Sequence, residues 1–143
     1  MAIGLFNVGR DVTVNIITTN GPIVLSTITS FKAKQDSTQQ KLVLINGVTH
    51  HLRFFIGWTG SFSIERASDV LDNYFALLEQ NYYQGIREQG ASITETIQEL
   101  NGSISQFRFT NVLLSFDDAG DYAGDKSVAQ SMSFVASRRI QIA

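Results

Sequence analysis

The 143-residue chain has no cysteine, one proline and two histidines. Without cysteine there are no disulfides and no thiolate metal sites, and folding in a reducing compartment carries no penalty. With Pro22 as the single proline, nothing reads as a proline-rich linker or low-complexity segment, so one ordinary domain over residues 1–143 is expected. No stretch approaches the ~18 apolar residues of a membrane span. The N-terminal MAIGLFNVGR lacks a charged region ahead of a long apolar run, so neither export nor membrane insertion is expected. Basic clusters are missing too. Seven arginines and four lysines are dispersed, only Arg138 and Arg139 are adjacent, and the formal net charge is −2. That balance argues against a surface that captures nucleic acid.

Catalytic constellations are equally scarce. His50 and His51 are neighbours on a predicted strand, so their imidazoles point to opposite faces and cannot share a metal ion within one chain. No nucleophile, base and orienting group can be assembled, and no pair of carboxylates stands out as acid and base. The loop from Gly120 to Ser127 has a superficial likeness to a phosphate-binding loop. Its glycine spacing is one residue short, Asp125 separates Gly124 from Lys126, and a strand follows where a helix is needed. Asp117, Asp118, Asp121 and Asp125 lack the alternating order and closing glutamate of a calcium loop. A non-enzymatic chain with no cofactor and no metal is expected.

What the chain does contain is strand periodicity punctuated by turns. Asn-Gly pairs at Asn20, Asn46 and Asn101 favour the type I′ turns of hairpins. They are expected to join segments 11–19 with 23–33, 41–45 with 48–55, and 92–100 with 103–116. Pro22 cannot donate a ladder hydrogen bond and is expected on an edge. The polar run Lys34, Gln35, Asp36, Ser37, Thr38, Gln39 and Gln40 is expected at the tip of an exposed arm, a hairpin spanning about 31–55.

Further on, Trp58, Phe62 and Ile64 alternate with Thr59, Ser61, Ser63 and Glu65, a strand with one apolar face. From Val70 the spacing becomes helical through Leu71, Tyr74, Phe75, Leu77, Leu78 and Tyr82. Ser68 is the expected cap and Gly85 the expected stop. One amphipathic helix among many strands predicts a mainly β, β-rich α+β domain, an antiparallel sandwich or partly open barrel with the helix packed at one side.

Charge is unevenly spread. Residues 1–59 hold five basic and two acidic side chains, residues 60–125 three and eleven, and residues 126–143 three and none. Basic ends of one copy would complement the acidic middle of the next.

Two stretches carry a family resemblance. In NVLLSFDDAGDYAGDKSVAQSMSFVASRR, from Asn111 to Arg139, two alternating runs flank an Asp- and Gly-rich loop. Val128, Gln130, Met132, Phe134 and Ala136 share one strand face there, and Ala129, Ser131, Ser133, Val135 and Ser137 share the other. Together with GWTGSFSIERASDVLDNYFALLEQNYYQG upstream, it closely resembles tail-tube proteins of contractile, myovirus-type bacteriophage tails and related prophage particles.

The resemblance implies a virion tail subunit, assembled in the host cytoplasm, whose hexameric rings stack into a hollow tube that conducts the genome. Its implied partners are further copies of itself, the tail sheath protein, the baseplate hub and the tape measure protein. Strand alternation nominates Ser61, Ser63, Glu65, Thr94, Thr96 and Gln98 as lumen-facing. The polar run 34–40 is expected to reach the adjacent ring, and Asp117, Asp118, Asp121 and Asp125 to lie between subunits. The alternative is a small carbohydrate- or ligand-binding β module of a baseplate or receptor-binding part, with Trp58, Tyr82, Tyr83 and Tyr122 as a sugar platform.

Overall fold

The computed structural model describes residues 6, 8, 9, 12–19, 21–23 and 27–143. Among these residues eight strands and one helix follow in the order β1 (Val12–Thr18), β2 (Gly21–Ile23), β3 (Ile28–Val43), β4 (Thr49–Glu65), α1 (Val70–Tyr83), β5 (Ala91–Gln98), β6 (Ile104–Asp118), β7 (Ala129–Ala136) and β8 (Arg138–Gln141). Every pairing is antiparallel, in the order β2-β1-β5-β6-β7-β4-β3, with β8 also on β6. Pro22 lies in the edge strand β2, as its missing N–H requires. Asn20 falls outside the described residues. The third Asn-Gly pair joins β5 to β6, with Glu99 N–H donating to Ser103 O at 2.9 Å.

β6 holds the sheet together. Its first part pairs with β5 on one side and β8 on the other, and its last part pairs with β7. Asn111, at φ 52°, marks the bend between these parts. Its Nδ2 donates to Ser137 Oγ at 3.0 Å, and Ser137 N–H donates to Thr110 O at 3.0 Å. At Ser137 the partner strand divides, β8 pairing with the first part of β6 and β7 lying between the last part of β6 and β4. The sheet therefore folds over on itself and encloses its core.

Alternation decides what enters that core. Along β7 the even positions Gln130, Met132, Phe134 and Ala136 are buried and the odd ones are not, as period-2 patterning predicts. Phe109 is wholly buried and meets Phe31, Trp58 and Phe134 with ring centroids 6.2, 5.8 and 5.5 Å away. β4 crosses close over Phe134 at Gly60, where a Cβ would run into that ring and the Lys32 carbonyl.

The helix begins at Val70 as expected, but Asp69, not Ser68, is its cap residue and makes no side-chain capping bond. Gly85, at φ 79°, ends it. Leu71 and Tyr74 are buried, and Phe75 stacks on Phe116 at 4.6 Å, while Val70, Leu77 and Tyr82 stay exposed. The stripe that docks is thus narrower than the apolar spacing suggested. Burial also pushes the Tyr74 phenol above its ordinary pKa.

Removing the Phe109 ring is expected to cost about 3–5 kcal/mol, the range for large-to-small changes in a filled core. Phe55→Ala, at an exposed position of the same residue type, is expected to change stability by less than about 0.5 kcal/mol. Urea unfolding of the two variants checks the contrast. Equal losses would mean that Phe55 belongs to the core.

Candidate functional site

The β3–β4 hairpin continues far beyond the core. Its ladder runs from Asp36↔Gly57, through a bulge at Ile56, to Val43↔Thr49. Leu44 N–H bonds Val48 O at 2.9 Å, and Asn46 Oδ1 accepts from Val48 N–H at 3.0 Å, closing the turn over 44–48. At ~3.3 Å per residue, the part past Gly57 is roughly 25–30 Å long.

The polar run from Lys34 to Gln40, expected at the tip, lies inside β3 instead. Its residues face Thr59, Trp58, Gly57, Phe55, Phe54, Arg53 and Leu52 in register. Pairing against a β-favouring strand overrides its low strand propensity. The bulge sorts the arm into two faces. Ser37, Gln39 and Lys41 share one with Phe55, Arg53 and His51, and Thr38, Gln40 and Leu42 share the other with Phe54, Leu52 and His50. Phe54 and Phe55 are 52 % and 66 % exposed, so the arm's apolar side chains bury little in their own subunit.

The aspartate-rich loop lies at the other end of the same sheet. Glu65 pairs with Ala129, which follows the loop, whereas Trp58, where the arm begins, pairs with Ala136 at the far end of β7. Asp117 and Asp118 close β6, and Asp121 and Asp125 sit in the loop proper; all four are exposed. Asp117 Oδ1 accepts from Ser133 Oγ at 3.1 Å, and Asp118 Oδ1 accepts from Gly120 N–H at 3.0 Å.

The loop is braced from beneath by the buried Gln130. Its Nε2 donates to Ala119 O and to Asp72 Oδ1, both at 3.0 Å, while its Oε1 finds no partner among the described residues. Arg66 pairs with the other Asp72 oxygen at 2.8 Å, which raises the guanidinium pKa, and its N–H holds Val128 O at 2.7 Å. The N-terminal turn of α1, the loop and β7 are thereby tied together.

The six nominated lumen residues do not form one surface. Ser61 and Ser63 lie on the outer face of β4. Ser61 is opposite Ser133, which is opposite Ser115, and Ser63 is opposite Ser131, making a field of hydroxyls across three strands. Lys32 and Lys34 flank it on β3, opposite Ser61 and Thr59. Glu65 ends the row, its Oε2 buried without a partner among the described residues. Thr94, Thr96 and Gln98 lie on β5, with Arg108 opposite Thr94 and Gln106 donating to Thr96 Oγ1 at 3.2 Å. The core lies between the two halves, so these outer faces point away from each other.

Other nominated groups are dispersed. Trp58 packs against Phe109, Tyr82 and Tyr83 are exposed on the helix, and Tyr122 is exposed in the loop, so no shared aromatic platform forms. His50 and His51 are exposed on opposite faces of the arm. Among the described residues, no cluster of three His, Cys, Asp or Glu is placed to hold a metal ion, and no helix is long and apolar enough to cross a membrane.

No protein-family model and no curated protein matches the sequence. Solved structures do. A chain of the anti-feeding prophage tube-terminating cap matches with a TM-score of 0.67 at 10 % identity, over 99 % of this chain and 94 % of that one. A chain of the PVC extracellular contractile injection system, in its sheath/tube terminator, gives 0.61 at 11 % identity over 91 % and 93 %. The SPP1 tail tube gives 0.57 at 10 % identity over 94 % and 77 %. This is a tail-tube-like fold.

One contact that fastens the tail-tube-like fold escaped the sequence reading. Arg139, on β8, places its guanidinium 3.6 Å from the Phe107 ring centroid, 5.2 Å from Trp58 and 5.7 Å from Phe109, and bonds Glu95 Oε1 at 2.8 Å. It links β5, β6 and β4 at the seam of the folded sheet. The pair Arg138-Arg139 carried no more signal than an adjacent basic couple. Arg139→Ala is expected to cost about 2 kcal/mol, because Glu95 loses its partner while half-buried and three rings lose a cation. Arg139→Lys should recover less than half, since an ammonium cannot stack as a planar guanidinium does. Thermal and urea unfolding measure both.

Proposed function

We propose that the chain is a non-enzymatic structural subunit of a phage-type tail tube, a single tail-tube domain with one hairpin arm. Its hexameric rings stack into a tube whose lumen conducts the genome during injection. The observation that carries this reading is the β3–β4 arm, a hairpin that extends past the core with Phe54, Phe55, Leu52 and Leu42 exposed along it. A surface of that kind is stable in solution only when something covers it. The near full-length likeness to tube, terminator and cap chains supports the next ring as the cover. Segment 34–40 forms part of that contact, and the aspartates of the 117–125 region lie between subunits.

The tail sheath protein, baseplate hub and tape measure protein are the partners such a subunit meets in a virion tail assembled in the host cytoplasm. DNA passes without specific binding, and no cofactor, metal or membrane takes part. The stronger likeness to the cap chain, at 0.67, favours a second reading, a terminator that ends a tube. Concentration separates the two. A tube subunit is expected to form long hollow tubes as concentration rises, seen by light scattering and negative stain; a terminator gives rings that do not stack. A strict monomer at every concentration and salt would remove both.

For the lumen we favour the hydroxyl field around Ser61 and Ser63, which spans β4, β7 and β6. Its hydroxyls hold phosphates weakly, whereas cations added to the two lysines already at its margin, repeated sixfold per ring, release counterions and retain DNA. Ser61→Lys with Ser63→Lys is expected to leave tubes intact but retain DNA at low salt, and Thr94→Lys with Thr96→Lys to have no such effect. Retention by the second pair alone would place the lumen on the β5 side.

A further inference from the structure

The arm and the aspartate loop lie at opposite ends of one sheet and carry opposite charge. Past Asp36 the arm holds Lys41 and Arg53 on one face and no carboxylate anywhere. The four aspartates, all exposed, have Lys126 as their one nearby base in sequence. We infer that the Lys41–Arg53 face of the arm docks on the 117–125 loop of a second copy, with Asp121 and Asp125 as the charge partners. This deepens the stacked-ring reading and rests on it.

Three observations support the pairing. First, the body of β4 between Glu65 and Trp58 separates loop from arm by roughly 25 Å, so the arm cannot fold back onto the loop of its own chain. Second, a contact between unlike ends is heterologous, and along the axis of a ring, where its rotation does not bring it back on itself, it propagates in one direction. Third, both partners are formed in advance. The arm is a continuous ladder, and the loop is held by Gln130, Asp118 and the Arg66 backbone, so docking has little ordering entropy to overcome. Apolar Phe55 accompanies the bases on the arm, and exposed Tyr122 accompanies the acids on the loop. The pairing is not purely ionic.

A charge swap tests it, using the full chain and circular dichroism to check folding. The arm variant Lys41→Glu with Arg53→Glu, and the loop variant Asp121→Lys with Asp125→Lys, are each expected to raise the critical concentration for tubes by about tenfold or more. Mixed together, they should regain tubes of alternating rings, since intact arm meets intact loop at one junction and reversed arm meets reversed loop at the next. The fourfold variant should regain tubes and fail to copolymerise with the wild type. Raising salt should weaken stacking of the wild type.

Tubes from all variants at wild-type concentration overturn the inference and leave the tube reading standing. Loss in both variants without rescue overturns the pairing and sends the arm to another surface of the second copy. Unchanged assembly together with DNA binding lost in the arm variant overturns it in favour of nucleic acid as the arm's ligand. A wild-type chain that never assembles overturns both readings.

Discussion

Phe109 has to be covered from two directions, and the architecture follows from that requirement. Its ring is wholly buried among Phe31 of β3, Trp58 of β4 and Phe134 of β7, although it sits on β6. A flat sheet cannot bring β3 back over β6, because β7 and β4 lie between them in the strand order. The bend at Asn111 and the parting of β7 from β8 at Ser137 let the sheet fold over, and Arg139 fastens the seam with a cation against three rings. An aromatic cluster of this size buries enough apolar area to offset the strain of one positive-φ asparagine.

The same closure fixes the ends of the molecule. β4 runs straight from the covered core into the arm, since its partner β3 continues beside it beyond Asp36 while β7 stops at Ala136. Beyond that point the hairpin has backbone bonds but no second layer. An isolated two-stranded ribbon is marginal in water, so within one subunit the arm depends on continuity with the packed strands at its base. Its turn residues tolerate this. Asn46 and Gly47 close a tight turn that requires no tertiary contact.

Much of this was legible in the chain. Period-2 alternation located the core face of β7, the shift to helical spacing located α1, and two of the Asn-Gly pairs mark turns that the structure describes. The arm was only half legible. Its turn at Asn46 was readable, but run 34–40 has no apolar alternation to announce a strand, and its place inside β3 comes from cross-strand pairing. The extra residue at Ile56 also breaks the phase of β4, so one continuous strand reads as two. Lumen candidates on β4 and β5 looked alike because alternation gives the side of a strand and not the direction in which a folded-over sheet turns that side. The Arg139–Glu95 contact joins residues 44 apart in sequence, and no local pattern encodes it.

Edges complete the argument about assembly. The sheet order ends in β2 and β3. β2 is three residues long and contains Pro22, which makes it a poor template for another strand. β3 is sixteen residues long and carries no partner on its outer side among the described residues, with Lys32, Lys34 and Lys41 as its only charged deterrents besides Asp36. A long edge of this kind invites a lateral neighbour. Under the proposed function a ring of copies would cover each such edge by closing on itself, and the charged ends would take an axial neighbour. One contact that closes and one that does not would together generate a cylinder of indefinite length.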